Sequence, residues 1–146
     1  MSAYTGHCIP TGGSSNTLYY YNNITTNTLG YNNLAYTAAS YSAYVNNSST
    51  SFSGTAGGNI DYSLKASGGG TYYYYIWVDW NNDLDFNDAG ETMLAATTAY
   101  AATASGSFAI PAGQPMGDYR VRFGQSYSGT ITSCGPAPSG NYVDFT

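Results

Sequence analysis

The chain has 146 residues, of which 8% are charged, and three basic against eight acidic residues give a formal net charge of −5. That length favours one domain, residues 1–146, with a real hydrophobic core. Its three basic residues, Lys65, Arg120 and Arg122, exclude a nucleic-acid partner or an anionic membrane surface, which both need a basic footprint.

Seventeen tyrosines stand beside a single Glu and a single Lys, so the strong charged helix formers are nearly missing. Tyr and Thr suit a pleated, half-buried surface, while Asn and Gly supply turns. The composition therefore predicts an almost purely β chain with a neutral polar surface, as is common in secreted and cell-surface material. The first residues, Met1 to His7, have neither the basic nor the apolar region of a signal peptide. Two expectations stay open: a leader removed from this numbering, or a chain that is a fragment. No run of about 18 apolar residues is present, so no membrane insertion is expected.

In chain order, residues 1–16 read as an extended N-terminal segment. Residues 17–45 alternate polar and apolar positions, as in Leu18-Tyr19-Tyr20-Tyr21, Leu34-Ala35-Tyr36-Thr37 and Tyr41-Ser42-Ala43-Tyr44-Val45. The small-residue stretch 46–58 reads as loop with a short strand around Phe52. Ile60, Tyr62, Leu64 and Ala66 fall on one face of a strand, which Gly68-Gly69-Gly70 ends. Tyr72 to Val78 is apolar throughout and reads as a central strand buried on both faces. Residues 92–110 hold two weaker strands and Pro111-Ala112-Gly113 a turn. Along Tyr119 to Phe123, Arg120 and Arg122 share one face, opposite Tyr119, Val121 and Phe123. Tyr142 to Phe145 reads as a final strand. Some eight to ten short strands and no convincing helix favour an antiparallel β-sandwich, jelly-roll-like, over a βαβ fold.

The loop Asp79 to Glu91 holds five of the eight acidic residues, a crowding that costs Coulomb energy unless a cation or hydrogen bonds compensate. Counting Asp79 as the first position, oxygen side chains fall at positions 1, 3, 5 and 7: Asp79, Asn81, Asp83 and Asp85. Asp88 and Glu91 follow. Alternating oxygen ligands suit Ca²⁺, so these six residues form the candidate metal site. The alternative is an acidic turn closed by its own Asx hydrogen bonds. An EF-hand is improbable, because Leu84 replaces the turn glycine, Glu91 stands one place late, and the flanks are strands. Trp80, Leu84 and Phe86 are expected to pin the loop to the core.

The stretch from Ile76 to Glu91 resembles the GEVED domain of secreted bacterial proteins in its strand, Asp-Trp-Asn, acidic pair around Phe, and Ala-Gly-Glu. Ile110-Pro111-Ala112-Gly113, Arg120-Val121-Arg122 and Cys134-Gly135 follow in the family's order. Gly140-Asn141-Tyr142-Val143-Asp144-Phe145 aligns with the naming signature Gly-Glu-Val-Glu-Asp-Tyr, with Asn141 and Val143 in place of two glutamates. The likeness covers most of residues 60–146 and implies a non-catalytic β-sandwich belonging to extracellular proteins.

Cys8 and Cys134 are expected to pair, tying both ends of the chain; two unrelated buried thiols are the alternative. His7, the sole histidine, lies near a terminus and reads as solvated, so a nucleophile–histidine site has no support. A glycosidase carboxylate pair drawn from the acidic loop would compete with cation binding. Tyr19, Tyr20, Tyr21, Tyr31, Tyr36, Tyr41 and Tyr44 are candidates for a sugar-stacking platform. Asn23, Asn46 and Asn47 match the N-glycosylation pattern. The function expected is a secreted, calcium-stabilised structural or adhesive module that assembles with copies of itself; a carbohydrate-binding accessory module is the alternative.

Overall fold

A computed structural model of the chain describes residues 6–11, 18–27, 33–96 and 102–146. Those residues form nine strands: β1 Tyr21–Asn27, β2 Ala35–Thr37, β3 Tyr44–Asn46, β4 Asn59–Ala66, β5 Tyr73–Val78, β6 Thr92–Ala95, β7 Thr103–Ala109, β8 Val121–Ser126 and β9 Gly140–Phe145. They make a four-stranded sheet ordered β2-β1-β4-β7 and a five-stranded sheet ordered β3-β9-β8-β5-β6. The protein is an all-β sandwich, as expected, and no helix occurs among the described residues. One pairing departs from the antiparallel expectation, since β3 runs parallel to β9. Of the expected N-terminal segment, residues 6–11 are irregular and the remainder lies outside the described residues.

Strand alternation builds the core. In β4, Ile60, Leu64 and Ala66 are buried while Asp61 and Lys65 face water, the period of two that a half-buried strand imposes. In β1 a register shift against β4 between Tyr21 and Asn23 lets Tyr21 and Ile24, three apart, both face inward. Inward residues of the second sheet, Tyr74, Ile76, Phe123, Val143 and Phe145, close the same cluster. Each fully buried side chain of this size contributes about 1.5–3 kcal/mol of transfer free energy.

The five-stranded sheet is buried on its other face too. Tyr75, Trp77 and Tyr142 project there into a second cluster with Phe86, Ile131 and Ala137. Trp77 stacks on Tyr75 at 5.1 Å between ring centroids. Gly124 makes this possible: a Cβ there would stand 2.7 Å from the Trp77 ring. This second layer explains why β5 reads as continuously apolar, although β8 rather than β5 is the middle strand.

The stretch around Phe52 is not a strand. Phe52 is instead a buried loop residue, its N–H bonded to the Thr146 carbonyl at 3.0 Å; an apolar anchor without alternation resembles a strand in sequence.

Buried phenols give the fold an alkaline limit. Burial raises the pKa values of Tyr21, Tyr74 and Tyr142. Burial foremost, then neighbouring Tyr19 and Tyr127, pushes Tyr72 up to about 12. Folded phenols thus keep protons that the unfolded chain releases above about pH 10. Their contribution is complete below that value and is lost as pH rises through the folded pKa values. The melting temperature is expected to fall steeply above about pH 10, with tyrosinate absorbance rising cooperatively with unfolding. A gradual rise without loss of β-sheet circular dichroism would contradict this.

Candidate functional site

The acidic loop begins where β5 ends. Asp79 is fully buried and is the loop's organising residue. Its Oδ1 accepts the Asp83 N–H at 3.3 Å, and its Oδ2 accepts the Leu84 N–H at 3.0 Å. Glu91, 2% exposed, closes the loop from the far side by accepting the N–H groups of Trp80 at 3.0 Å and Asp88 at 3.2 Å. Asn82 and Leu84 have φ of 59° and 77°, a left-handed conformation that costs a non-glycine residue roughly 1–2 kcal/mol. Leu84 therefore adopts the backbone that the missing turn glycine would have supplied.

Of the six expected metal ligands, the structure brings three together: one carboxylate oxygen each from Asp79, Asp83 and Glu91, all within 4.8 Å of one another. Calcium–oxygen bonds of about 2.3–2.6 Å place ligands on opposite sides of the ion about 4.6–5.2 Å apart, so the all-oxygen set fits that cation. Asp85 and Asp88 are not in that group, while Asn81 adjoins it, its Oδ1 accepting the Asp83 N–H at 3.1 Å. Asn81 donates to Asp83 at 3.1 Å and to Asp88 at 2.6 Å, and Asp85 accepts the Asn87 N–H at 2.8 Å. The expected Asx-turn chemistry is thus also present in the loop. Glu91 is raised above the usual carboxylate pKa, first by burial, and further by Asp79 and Asp83.

The anchors differ from expectation. Phe86 is buried in the second cluster and Trp80 packs partly against the first, but Leu84 is 41% exposed and belongs to neither. Residue spacing alone does not reveal that its backbone turns it outward. His7 is not a solvated terminal residue either. Its Nε2 donates to Asp79 Oδ2 at 2.8 Å with a side chain 9% exposed, and its ring lies 5.0 Å from that of Phe86. The disulfide between Cys8 and Cys134, with Cα atoms 5.8 Å apart, fixes the adjoining segment and so places His7.

Beside this loop lies a buried ionic network that the sequence reading missed. Arg122 is fully buried and its five N–H donors all find acceptors. Nε and Nη2 reach Asp144 at 2.7 and 2.8 Å, Nη1 reaches the Ser133 carbonyl at 2.8 Å and Cys8 Sγ at 3.2 Å, and Nη2 reaches the Cys8 carbonyl at 2.8 Å. Phe86 and Tyr44 each lie against the guanidinium, at 4.9 and 5.4 Å. Asp144 also accepts from Tyr44 at 2.8 Å and Arg120 at 3.1 Å. Burial first, then the Asp144 carboxylate, pushes the Tyr44 phenol up to about 12. The available signal was the shared face of Arg120 and Arg122.

The family model for the GEVED domain matches residues 73–146, just over half of the chain. The chain belongs to the GEVED family. No curated protein and no solved structure matches it. In this GEVED domain the surviving signature acid, Asp144, is the buried partner of Arg122. The two residues that replace signature glutamates are both buried: Val143 joins the core, and Asn141 Oδ1 accepts the Tyr21 N–H at 2.9 Å and Gln125 Nε2 at 3.1 Å. A charged glutamate at either place would meet an apolar or already satisfied environment.

Several of the tyrosines expected to form a stacking platform are engaged within the fold. Tyr21 is wholly buried, Tyr36 packs edge-on against Phe145, Tyr44 lies over Arg122, and Tyr41 donates to the Gly140 carbonyl at 3.3 Å. Tyr19 stacks on Tyr127, Tyr20 is half-buried, and Tyr31 lies outside the described residues. Of the glycosylation candidates, Asn46 is exposed while Asn23 and Asn47 are half-buried. No helix among the described residues is long and apolar enough to cross a membrane, and the disulfide suits an oxidising, extracytoplasmic setting.

Proposed function

We propose that this GEVED domain is a non-catalytic, secreted structural and adhesive module that assembles with copies of itself and binds calcium in its acidic loop. The observation that carries the reading is the convergence of Asp79, Asp83 and Glu91 beside a family signature whose charges are spent inside the fold. Arg122 and Asp144 satisfy each other at zero exposure, and His7 is committed to Asp79; neither arrangement is a free acid–base pair. Calcium would be held by Asp79, Asp83 and Glu91 and would relieve their mutual repulsion. Self-association is supported by the strand β7. It has no partner on its outer edge among the described residues, and its sequence Thr-Ala-Ser-Gly-Ser-Phe-Ala lacks the charges and proline that usually blunt an edge.

The calcium reading is tested at Asp83, the exposed member of the cluster. Calcium at a hundred times its Kd is expected to stabilise the wild-type chain by about 2.7 kcal/mol. Asp83→Asn should lose most of that gain while keeping the wild-type melting temperature in chelator, since a surface change costs within about 0.5 kcal/mol. Equal melting temperatures of the wild type with calcium and with chelator would refute it.

A further inference from the structure

The two ends of the sandwich differ in shape and charge. Where β5 and β9 end and β4 and β8 begin, a cavity of about 480 Å³ opens between the sheets, walled by Phe52, Ile60, Trp80, Phe108, Ile110 and Val121, with Met116 at its edge. Met116 is fully exposed. The indole N–H of Trp80 is buried there without an acceptor. At the opposite end, Leu18 and Tyr127 are 63% and 43% exposed. Tyr127 is not a loose side chain, because it stacks on Tyr19 at 4.3 Å with planes 9° apart. Gly70 lets the neighbouring loop pass beneath it: with φ of +109°, it would set a Cβ 3.0 Å from the Tyr127 ring.

Charge is divided the same way, except that Arg120, 22% exposed and paired with Asp144, also lies at the cavity end. Asp61, Asp83, Asp85, Asp88 and Asp118, all the acidic side chains that are not buried, stand at the cavity end. The single lysine, exposed Lys65, stands toward the other end, one residue before Ala66, which pairs with Tyr21.

We infer that the Leu18–Tyr127 knob of one copy inserts into the end cavity of the next, joining copies head to tail. This interface rests on the self-assembly proposed above and gives it a direction. A patch and a complementary pocket on opposite ends of one molecule make a heterologous contact, which propagates rather than closing into a dimer. Burial of Leu18 and Tyr127 supplies the apolar driving force, and Lys65 of one copy approaches the acidic end of the next, setting orientation. The incoming copy also brings acceptors, such as the Tyr127 hydroxyl, within the neighbourhood of the Trp80 N–H.

The test uses two full-length variants at exposed positions. Leu18→Asp places a negative charge on the knob, and Met116→Asp places another at the already acidic cavity edge, so that two altered ends repel each other. Each alone is expected to weaken association at least about tenfold, as loss of an interface anchor does, with the wild-type melting temperature retained. Their equimolar mixture should give discrete dimers by sedimentation velocity, because one intact knob then meets one intact cavity. Variants that assemble like the wild type, or a mixture that stays monomeric, would overturn the head-to-tail interface while leaving self-assembly standing. A wild-type chain that is monomeric at every concentration would remove the self-assembly reading, and this interface with it.

Discussion

Replacing Arg122 with methionine is expected to destabilise the domain by about 3–5 kcal/mol, the cost of leaving a buried charge without its partner. Asp144 would remain fully buried, holding only the Tyr44 hydroxyl and the weaker contact to Arg120. The same change strips acceptors on the Cys8 and Ser133 carbonyls of their donors. Arg120→Met is the control. Its side chain is 22% exposed and makes a single contact to Asp144, and Arg122 still neutralises that carboxylate when it is removed, so its loss should cost clearly less. Joint replacement, Arg122→Met with Asp144→Leu, should recover part of the loss, because no isolated charge is then left inside. Urea unfolding of the four chains decides it: equal costs at Arg122 and Arg120 would show that the network carries no special weight.

Removing the disulfide ranks beside this. Cys8 and Cys134 are 126 residues apart, and on the chain-entropy model a loop of that size contributes about 4–5 kcal/mol. Cys8→Ser with Cys134→Ser should lose that amount in denaturant titration. Reductant should produce a similar loss in the wild type and none in the double variant. The effect extends past entropy, because residues 7 and 8 feed two other sites: His7 bonds Asp79 in the acidic loop, and Cys8 accepts from Arg122 through its carbonyl and sulfur. The calcium response should therefore weaken in the same variant. A reductant effect below about 1 kcal/mol would contradict this account of the two termini.

Periodicity made much of the sandwich legible. The alternation of Ile60, Leu64 and Ala66 places β4, the apolar run to Val78 places β5, and turn residues bound both. It could not give the parallel pairing of β3 with β9, since three residues, Tyr44 to Asn46, carry no signal of direction. Phe52 looked like a strand because a lone anchor in small residues resembles half of an alternation. In the acidic loop, composition and spacing found the carboxylates, but backbone twist decided which converge. The left-handed turns at Asn82 and Leu84 bring Asp83 beside Asp79 and leave Asp85 and Asp88 outside. The roles of His7 and Arg122 were hidden because each depends on a partner more than seventy residues away, Asp79 for the first and Cys8 for the second.

The most direct test of a calcium-stabilised, self-assembling module is negative-stain electron microscopy of the purified chain, in Ca²⁺ and again in chelator. Filaments or sheets in calcium that disperse on chelation are the expected result. Dispersed single particles in both conditions would contradict it.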